Sequence, residues 1–312
     1  MIDRCLAVIA CSLCLAGSFQ AVRGQTATAR ADASARTVSS LERTQTAPTE
    51  ISADMSLAQA AEAELGKQEL VRPKPLWLAP YVIGSAGLNY TSNPALARNG
   101  GRGDVYFVEG GGAGIRPNLI GGLYLDGHVS DQAFQYAQFS SLNFNYFNVG
   151  GGLDYVVQSW GVTASVRFEY QRFLDGEALD EFYVNHALTV ALYKQFKLSD
   201  SMTIQAGWLS SFVLNAQPSS AGRNEYNFWL GWRWKIAAPL ELQAYYLLSL
   251  SHYPQDSRLD ATQNVGGALT LSLARWARLS MNTGFAANNS SDASFNYTVV
   301  NVGGALALDF RF

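Results

Sequence analysis

From Trp77 to Phe312 apolar and polar residues alternate with a period of two in one segment after another. In 162–170, Val162, Ala164, Val166, Phe168 and Tyr170 alternate with Thr163, Ser165, Arg167 and Glu169. In 225–234, Tyr226, Phe228, Leu230, Trp232 and Trp234 alternate with Glu225, Asn227, Trp229, Gly231 and Arg233. A period of two places alternate side chains on opposite faces of a β-strand. The pattern predicts about twelve strands, near 77–92, 105–117, 119–131, 141–157, 161–173, 182–196, 202–215, 224–234, 240–253, 262–274, 278–288 and 295–312. It persists to the last residue, with Val300, Val302, Leu306, Leu308, Phe310 and Phe312 on one face and Asn301, Ala305, Asp309 and Arg311 on the other.

The predicted connections alternate in length. Those after odd-numbered segments are long, such as Asn93–Asp104 and Gln132–Ser140, and those after even-numbered ones are short, such as Asn118 and Gln158–Trp160. Short turns at one end and longer loops at the other are the layout of a closed antiparallel transmembrane β-barrel. The expected fold is all-β, a barrel of about twelve strands, with ten or fourteen as alternatives. A soluble sandwich or small barrel is the competing all-β reading. A closed barrel of this size is too wide for apolar side chains to fill, so the apolar face should look outward. The other face carries Arg, Glu, Asp and Asn in mid-strand, which a wet lumen tolerates and a dry core does not. Trp77, Trp160, Phe196, Trp234, Trp276, Phe310 and Phe312 would form an aromatic belt at the short-turn end, and Tyr90, Tyr106, Tyr170, Phe212, Tyr226 and Tyr253 one at the other.

Before Trp77 the chain reads differently. Residues 1–24 have the form of a signal peptide: Arg4, an apolar stretch from Leu6 to Leu15, then small residues from Gly17 to Gly24. All three cysteines, Cys5, Cys11 and Cys14, fall there, so an exported mature chain would carry no thiol. Residues 25–76 contain no aromatic residue and read as a mostly disordered periplasmic extension with one short helix over 54–70. Residues 77–312 are the barrel domain. With a net charge of -3 and a pI near 5.7, nothing favours a nucleic-acid partner.

A signal segment, cysteine-free alternating strands and the terminal "ALALDFRF" together resemble bacterial outer-membrane β-barrel proteins, a porin-like class. More loosely, "NYTSNPALARNGGRGDVYFVEGGGAGIRP" is similar to the first hairpin of barrels found beside exopolysaccharide systems. The class resemblance implies residence in the outer membrane of a Gram-negative envelope with both termini in the periplasm. It also implies contact with outer-membrane lipid and recognition of Phe310 and Phe312 by the barrel-assembly machinery.

The residues that could carry chemistry are few. His128 and Ser130 are two apart on one strand, which sets their side chains on one face about 7 Å apart. Outer-membrane lipid hydrolases use such a pair on the lipid-facing side, whereas parity with Leu123, Leu125 and Val129 turns this pair inward. No third member stands at a convincing offset, so no catalytic residue is assigned. No spacing suggests a metal site and no cofactor is expected. The glycine clusters Gly110–Gly112, Gly121–Gly122, Gly150–Gly152, Gly266–Gly267 and Gly303–Gly304 read as strand glycines, since none opens a helix as a phosphate loop would. The pore-lining candidates by parity are Glu109, Arg116, Asp126, His128, Asp154, Arg167, Glu169, Glu225, Arg233, Glu241, Asp309 and Arg311. Arg233 and Glu241, flanking a five-residue turn, should meet at the periplasmic end.

These readings point to a non-enzymatic channel-like protein passing small polar solutes. The alternatives are a non-conducting structural or surface-interaction barrel linked to envelope polysaccharide and, third, a lipid-modifying enzyme. The solute, the openness of the lumen and the oligomeric state are not encoded in parity.

Overall fold

The computed structural model describes Ser34, residues 77–98 and residues 101–312. The signal, the extension and the helix read at 54–70 lie, Ser34 apart, outside the described residues. The strands are β1 (Pro80–Thr91), β2 (Asp104–Ile115), β3 (Asn118–Ile120), β4 (Leu123–Tyr136), β5 (Phe144–Val157), β6 (Val162–Asp175) and β7 (Glu181–Lys197). They continue with β8 (Met202–Gln217), β9 (Asn224–Ala237), β10 (Leu240–Tyr253), β11 (Arg258–Ala274), β12 (Ala277–Ser290) and β13 (Tyr297–Arg311). Each long strand pairs antiparallel with its sequence neighbours, and β1 pairs with both β2 and β13. The sheet therefore closes on itself. β3 is a three-residue flap paired only with β4, while β2 pairs directly with β4, so the barrel has twelve staves.

Closure explains why the alternation never lapses at the terminus. Val82 lies opposite Phe310, Leu88 opposite Gly304 and Thr91 opposite Asn301, so the last strand hydrogen-bonds to the first along its length. An open edge in hydrocarbon would leave a row of unpaired backbone groups, each costing several kcal/mol. Apolar side chains on the outward face are exposed on every stave, among them Leu88, Val129, Phe168, Leu192, Leu230, Val265, Met281 and Leu306. A soluble fold would bury this band, whereas lipid would cover it.

The aromatic belts are present with two corrections. Trp276 stacks on Phe310 at 5.6 Å between centroids at the short-turn end. Tyr170 packs on His186, and Phe212 on Tyr226, toward the long-loop end. Tyr106 and Tyr253, however, face inward and are buried, because each falls on the strand parity opposite to its exposed neighbours. Lys194 faces outward near the short turns, with its ammonium 5.0 Å from the Phe196 ring, as a lysine whose charged tip reaches out of the apolar band would.

Strand ends also differ from the pattern. β4 starts at Leu123 rather than 119, because Gly121 and Gly122 have φ of 54° and 90° and turn the chain tightly after β3. This pair makes a turn; it is not inside a strand as expected. At the other end β4, β6, β8 and β11 run past the expected limits, so most of the loops there are shorter than predicted. The cause is packing inside the wall. Tyr106, Phe134, Tyr136, Phe144, Tyr146, Phe173 and Tyr183 form a buried cluster on the inward face of β2 to β7. Phe134 and Phe144 stack at 4.3 Å, and this inner core holds the upper parts of the strands together.

Candidate functional site

The inward face is the candidate site, and its charges fall into three groups. The central group sits on β4, β5 and β6 with Arg116 from the turn after β2. Asp154 has a side chain with 0% exposure and accepts from Arg116 Nη2 at 2.9 Å and from Arg167 Nη2 at 3.0 Å. Asp126 stands further off, 3.8 Å from Arg116 and 3.9 Å from Arg167. His128 joins the same group: its Nδ1 lies 3.1 Å from Asp126, and its Nε2 lies 3.2 Å from Asn148 Nδ2 and 3.5 Å from Glu169. Carboxylates only accept, so the Nδ1 proton is directed to Asp126.

Glycines make this packing achievable. A methyl group at Gly150 would strike the Glu169 carboxylate and the His128 ring, and one at Gly152 would strike the backbone carbonyl of Val166 and the side chain of Arg167. The run Gly150–Gly152 thus clears space for a charged network. The sequence offered the glycines but not the identity of what lies over them.

The second group lies at the short-turn mouth. Arg233 Nε is 3.1 Å from Glu241, as the spacing across the hairpin predicted, and Gln243 donates to the same carboxylate at 2.6 Å. Asp309 accepts from Arg311 at 3.1 Å and stands 3.7 Å from Arg278. The third group lies at the long-loop mouth. Arg223 pairs with Glu225, and Arg258 is sandwiched 3.6 Å from the Tyr253 ring centre and 3.7 Å from that of Phe295, with Asp260 at 3.4 Å. Neither Arg223 nor Arg258 was singled out by parity, because each is at or beyond the strand end expected for it. Below this group a crevice remains, lined by Thr91, Glu225, Ser249, Thr262, Asn264 and Asn301.

Eleven of the twelve pore-lining candidates project to the interior: Arg116, Asp126, His128, Asp154, Arg167, Glu169, Glu225, Arg233, Glu241, Asp309 and Arg311. Glu109 does not. It lies opposite Ala86 and Ala133 and shares the face of the exposed Val105 and Phe107, while the buried Asp104 and Tyr106 take the other parity. The strand runs unbroken from Asp104, so Glu109 faces outward; its expected inward placement is corrected.

The His128–Ser130 pair faces inward. Ser130 is opposite Asn148, but both ring nitrogens of His128 are engaged by Asp126, Asn148 and Glu169. Neither is directed to the serine hydroxyl, so this geometry does not activate a nucleophile. Among the described residues no group of three or more His, Cys, Asp or Glu is disposed to hold a metal ion.

No family model matches the chain, and no curated protein matches it. Among solved structures, an outer membrane channel from Pseudomonas putida F1 is similar with a TM-score of 0.51 and 11% identity, over 78% of this chain and 100% of that one. The outer membrane channel DcaP of Acinetobacter baumannii follows at a TM-score of 0.42 and 10% identity, over 74% of this chain and 96% of that one. LpxR from Salmonella typhimurium scores 0.41 at 8% identity, over 72% of this chain and 99% of that one. The likeness to the Pseudomonas channel is one of fold: this chain is a closed twelve-stranded antiparallel β-barrel.

Proposed function

We propose that the protein is an outer-membrane barrel that gives small polar solutes a narrow passage and performs no chemical step. In this reading the bacterial outer membrane surrounds the exposed apolar band, and the short turns and both termini lie in the periplasm. Phe310 and Phe312 serve the barrel-assembly machinery. One observation carries the proposal: polar and charged side chains line the interior from the Arg233–Glu241 and Asp309–Arg311 mouth, past Asp154, to the crevice beside Glu225. The signs are mixed, which supports passage of neutral or zwitterionic solutes over strongly charged ones. Planar-bilayer recording of the reconstituted protein tests this. Discrete conductance steps with weak ion selectivity are expected, and a silent bilayer with inserted protein would overturn it.

A second reading draws on the aromatic cluster from Tyr106 to Tyr183, which occupies the interior of the long-loop half. It supports a non-conducting barrel that presents its loops to envelope polysaccharide. Binding of polysaccharide by a barrel without conductance would favour it. The lipid-modifying enzyme stays third, since His128 is committed to its carboxylate and amide neighbours. Lipid hydrolysis lost in His128→Ala would restore it.

A further inference from the structure

The two halves of the interior wall differ in chemistry. On β4 to β6 the wall is charged, and those charges are engaged with one another, Asp154 with Arg116 and Arg167. On β8 to β12 it carries two aromatic rings laid over glycines. Trp229 shares its face of β9 with the buried Asn227 and Arg233, so it points inward. A methyl group at Gly207 would strike one edge of its indole, at Nε1 and Cε2, and one at Gly231 would touch the other, at Cε3 and Cζ3. A ring that covers two wall positions lies flat along the wall and turns its other face to the lumen. Trp208, Trp232 and Trp234 have the outward parity, and Trp77, Trp160 and Trp276 stand outside the strands at the short-turn end.

Tyr245, inward on β10, reaches across Gly266 on β11 to Gly284 on β12, where a methyl group would meet its hydroxyl. That hydroxyl donates to Asn264 Oδ1 at 3.5 Å, and Asn264 lines the crevice at the long-loop end. Tyr245 thus joins the aromatic wall to the crevice. Among the described residues the crevice has one charged lining group, Glu225, which Arg223 already pairs. Thr91, Ser249, Ser251, Thr262, Asn264 and Asn301 supply hydroxyl and amide groups that both donate and accept. An ion entering here would shed water for no opposite charge. A sugar has what the lining matches: hydroxyls that donate and accept around its edge, and a C–H face that packs on an aromatic ring. The cavity volume of about 70 Å³ leaves room for roughly five waters, the order of what one sugar ring displaces.

We propose that the crevice, with the ring faces of Tyr245 and Trp229 below it, is a binding site for an uncharged sugar. This names the solute class of the passage reading and rests on it only for the route by which the sugar arrives.

The test uses the full chain in detergent micelles, its fold confirmed by heat-modifiable mobility, with glucose, galactose and maltose as probes. A saturable change in tryptophan fluorescence is expected, abolished in Trp229→Phe and kept in the outward control Trp232→Phe. Calorimetry should show binding at least tenfold weaker for glucuronate and glucosamine. Binding of the neutral sugars should weaken at least tenfold in Asn264→Ala and in Tyr245→Leu, two variants that need not share a folding defect. No saturable response to any neutral sugar would overturn the proposal. So would charged sugars binding as tightly, or unchanged affinity in both variants. Bilayer recording is a separate readout: a barrel that binds sugar but is silent would refute passage and leave the site standing, whereas current without sugar binding would refute the site alone.

Discussion

Replacing Asp154 by Ala should destabilise the barrel more than any other single change to its wall charges. The carboxylate is fully enclosed and accepts from both Arg116 and Arg167, so its loss leaves two guanidinium groups facing each other. Removing one partner of a buried ion pair costs about 3–5 kcal/mol. Here the full value does not apply, because the arginine side chains retain 25% and 30% exposure and Asp126 lies within 4 Å of both. Water and Asp126 recover part of the loss, and an expectation of about 2–3 kcal/mol follows. Equilibrium urea unfolding in lipid vesicles, followed by tryptophan fluorescence, measures it. The double variant Asp154→Ala with Arg167→Met should recover stability relative to Asp154→Ala alone, since one uncompensated cation goes with its partner. A loss below about 0.5 kcal/mol, the range of ordinary surface changes, would refute the view that this carboxylate holds the wall together.

Other expectations follow from the same geometry. Gly150→Val should cost about 1–3 kcal/mol by overpacking and displace the His128–Glu169 contact, seen as a changed His128 ring signal in NMR; a spectrum identical to wild type would contradict it. Arg258→Ala should loosen the long-loop end, where Tyr253 closes β10 and Phe295 lies in the connection between β12 and β13, raising proteolysis there while leaving the barrel intact, and unchanged cleavage would count against the sandwich. Phe312→Ser should lower the amount of assembled barrel without altering solute passage per barrel, so normal membrane levels would exclude the assembly role. Asp292, in an exposed loop, accepts from the backbone N–H and the hydroxyl of Ser294, and these bonds hold its carboxyl below the usual range. A lowered folded-state value means the bonds contribute above the ordinary carboxylate range and are lost as pH falls through that lowered value. Exchange of the Ser294 amide, corrected for intrinsic rate, should therefore lose protection only at acid pH; loss near neutrality would be inconsistent with this pairing.

Parity made most of the wall legible. The outward set of β13 was readable to Phe312, and the Arg233–Glu241 contact followed from symmetry about one turn. Glu109 failed for a particular reason. It lies in a run of Val105, Phe107, Val108 and three glycines where both faces are apolar or small, so alternation gives no face to the glutamate. Tyr106 failed in the same strand. What alternation could not reach was anything depending on which strands lie side by side around the curve. The convergence of Asp126, Asp154 and Arg167 from three strands needs inter-strand register. The aromatic interior is not legible in alternation, which marks a residue as inward without saying whether that part of the lumen is wet; inward aromatics at the long-loop end pack with each other across neighbouring strands. The glycine run before Asp154 was the one available signal: three small residues beside a mid-strand acid mark a place where something large must fit.

The central claim is that this barrel encloses a polar route and not a sealed core. Single-channel recording of the full chain, reconstituted with its insertion verified, tests it most directly. Small, discrete conductance steps with little preference between anions and cations are predicted. Bilayers that hold folded protein and pass no current would contradict it.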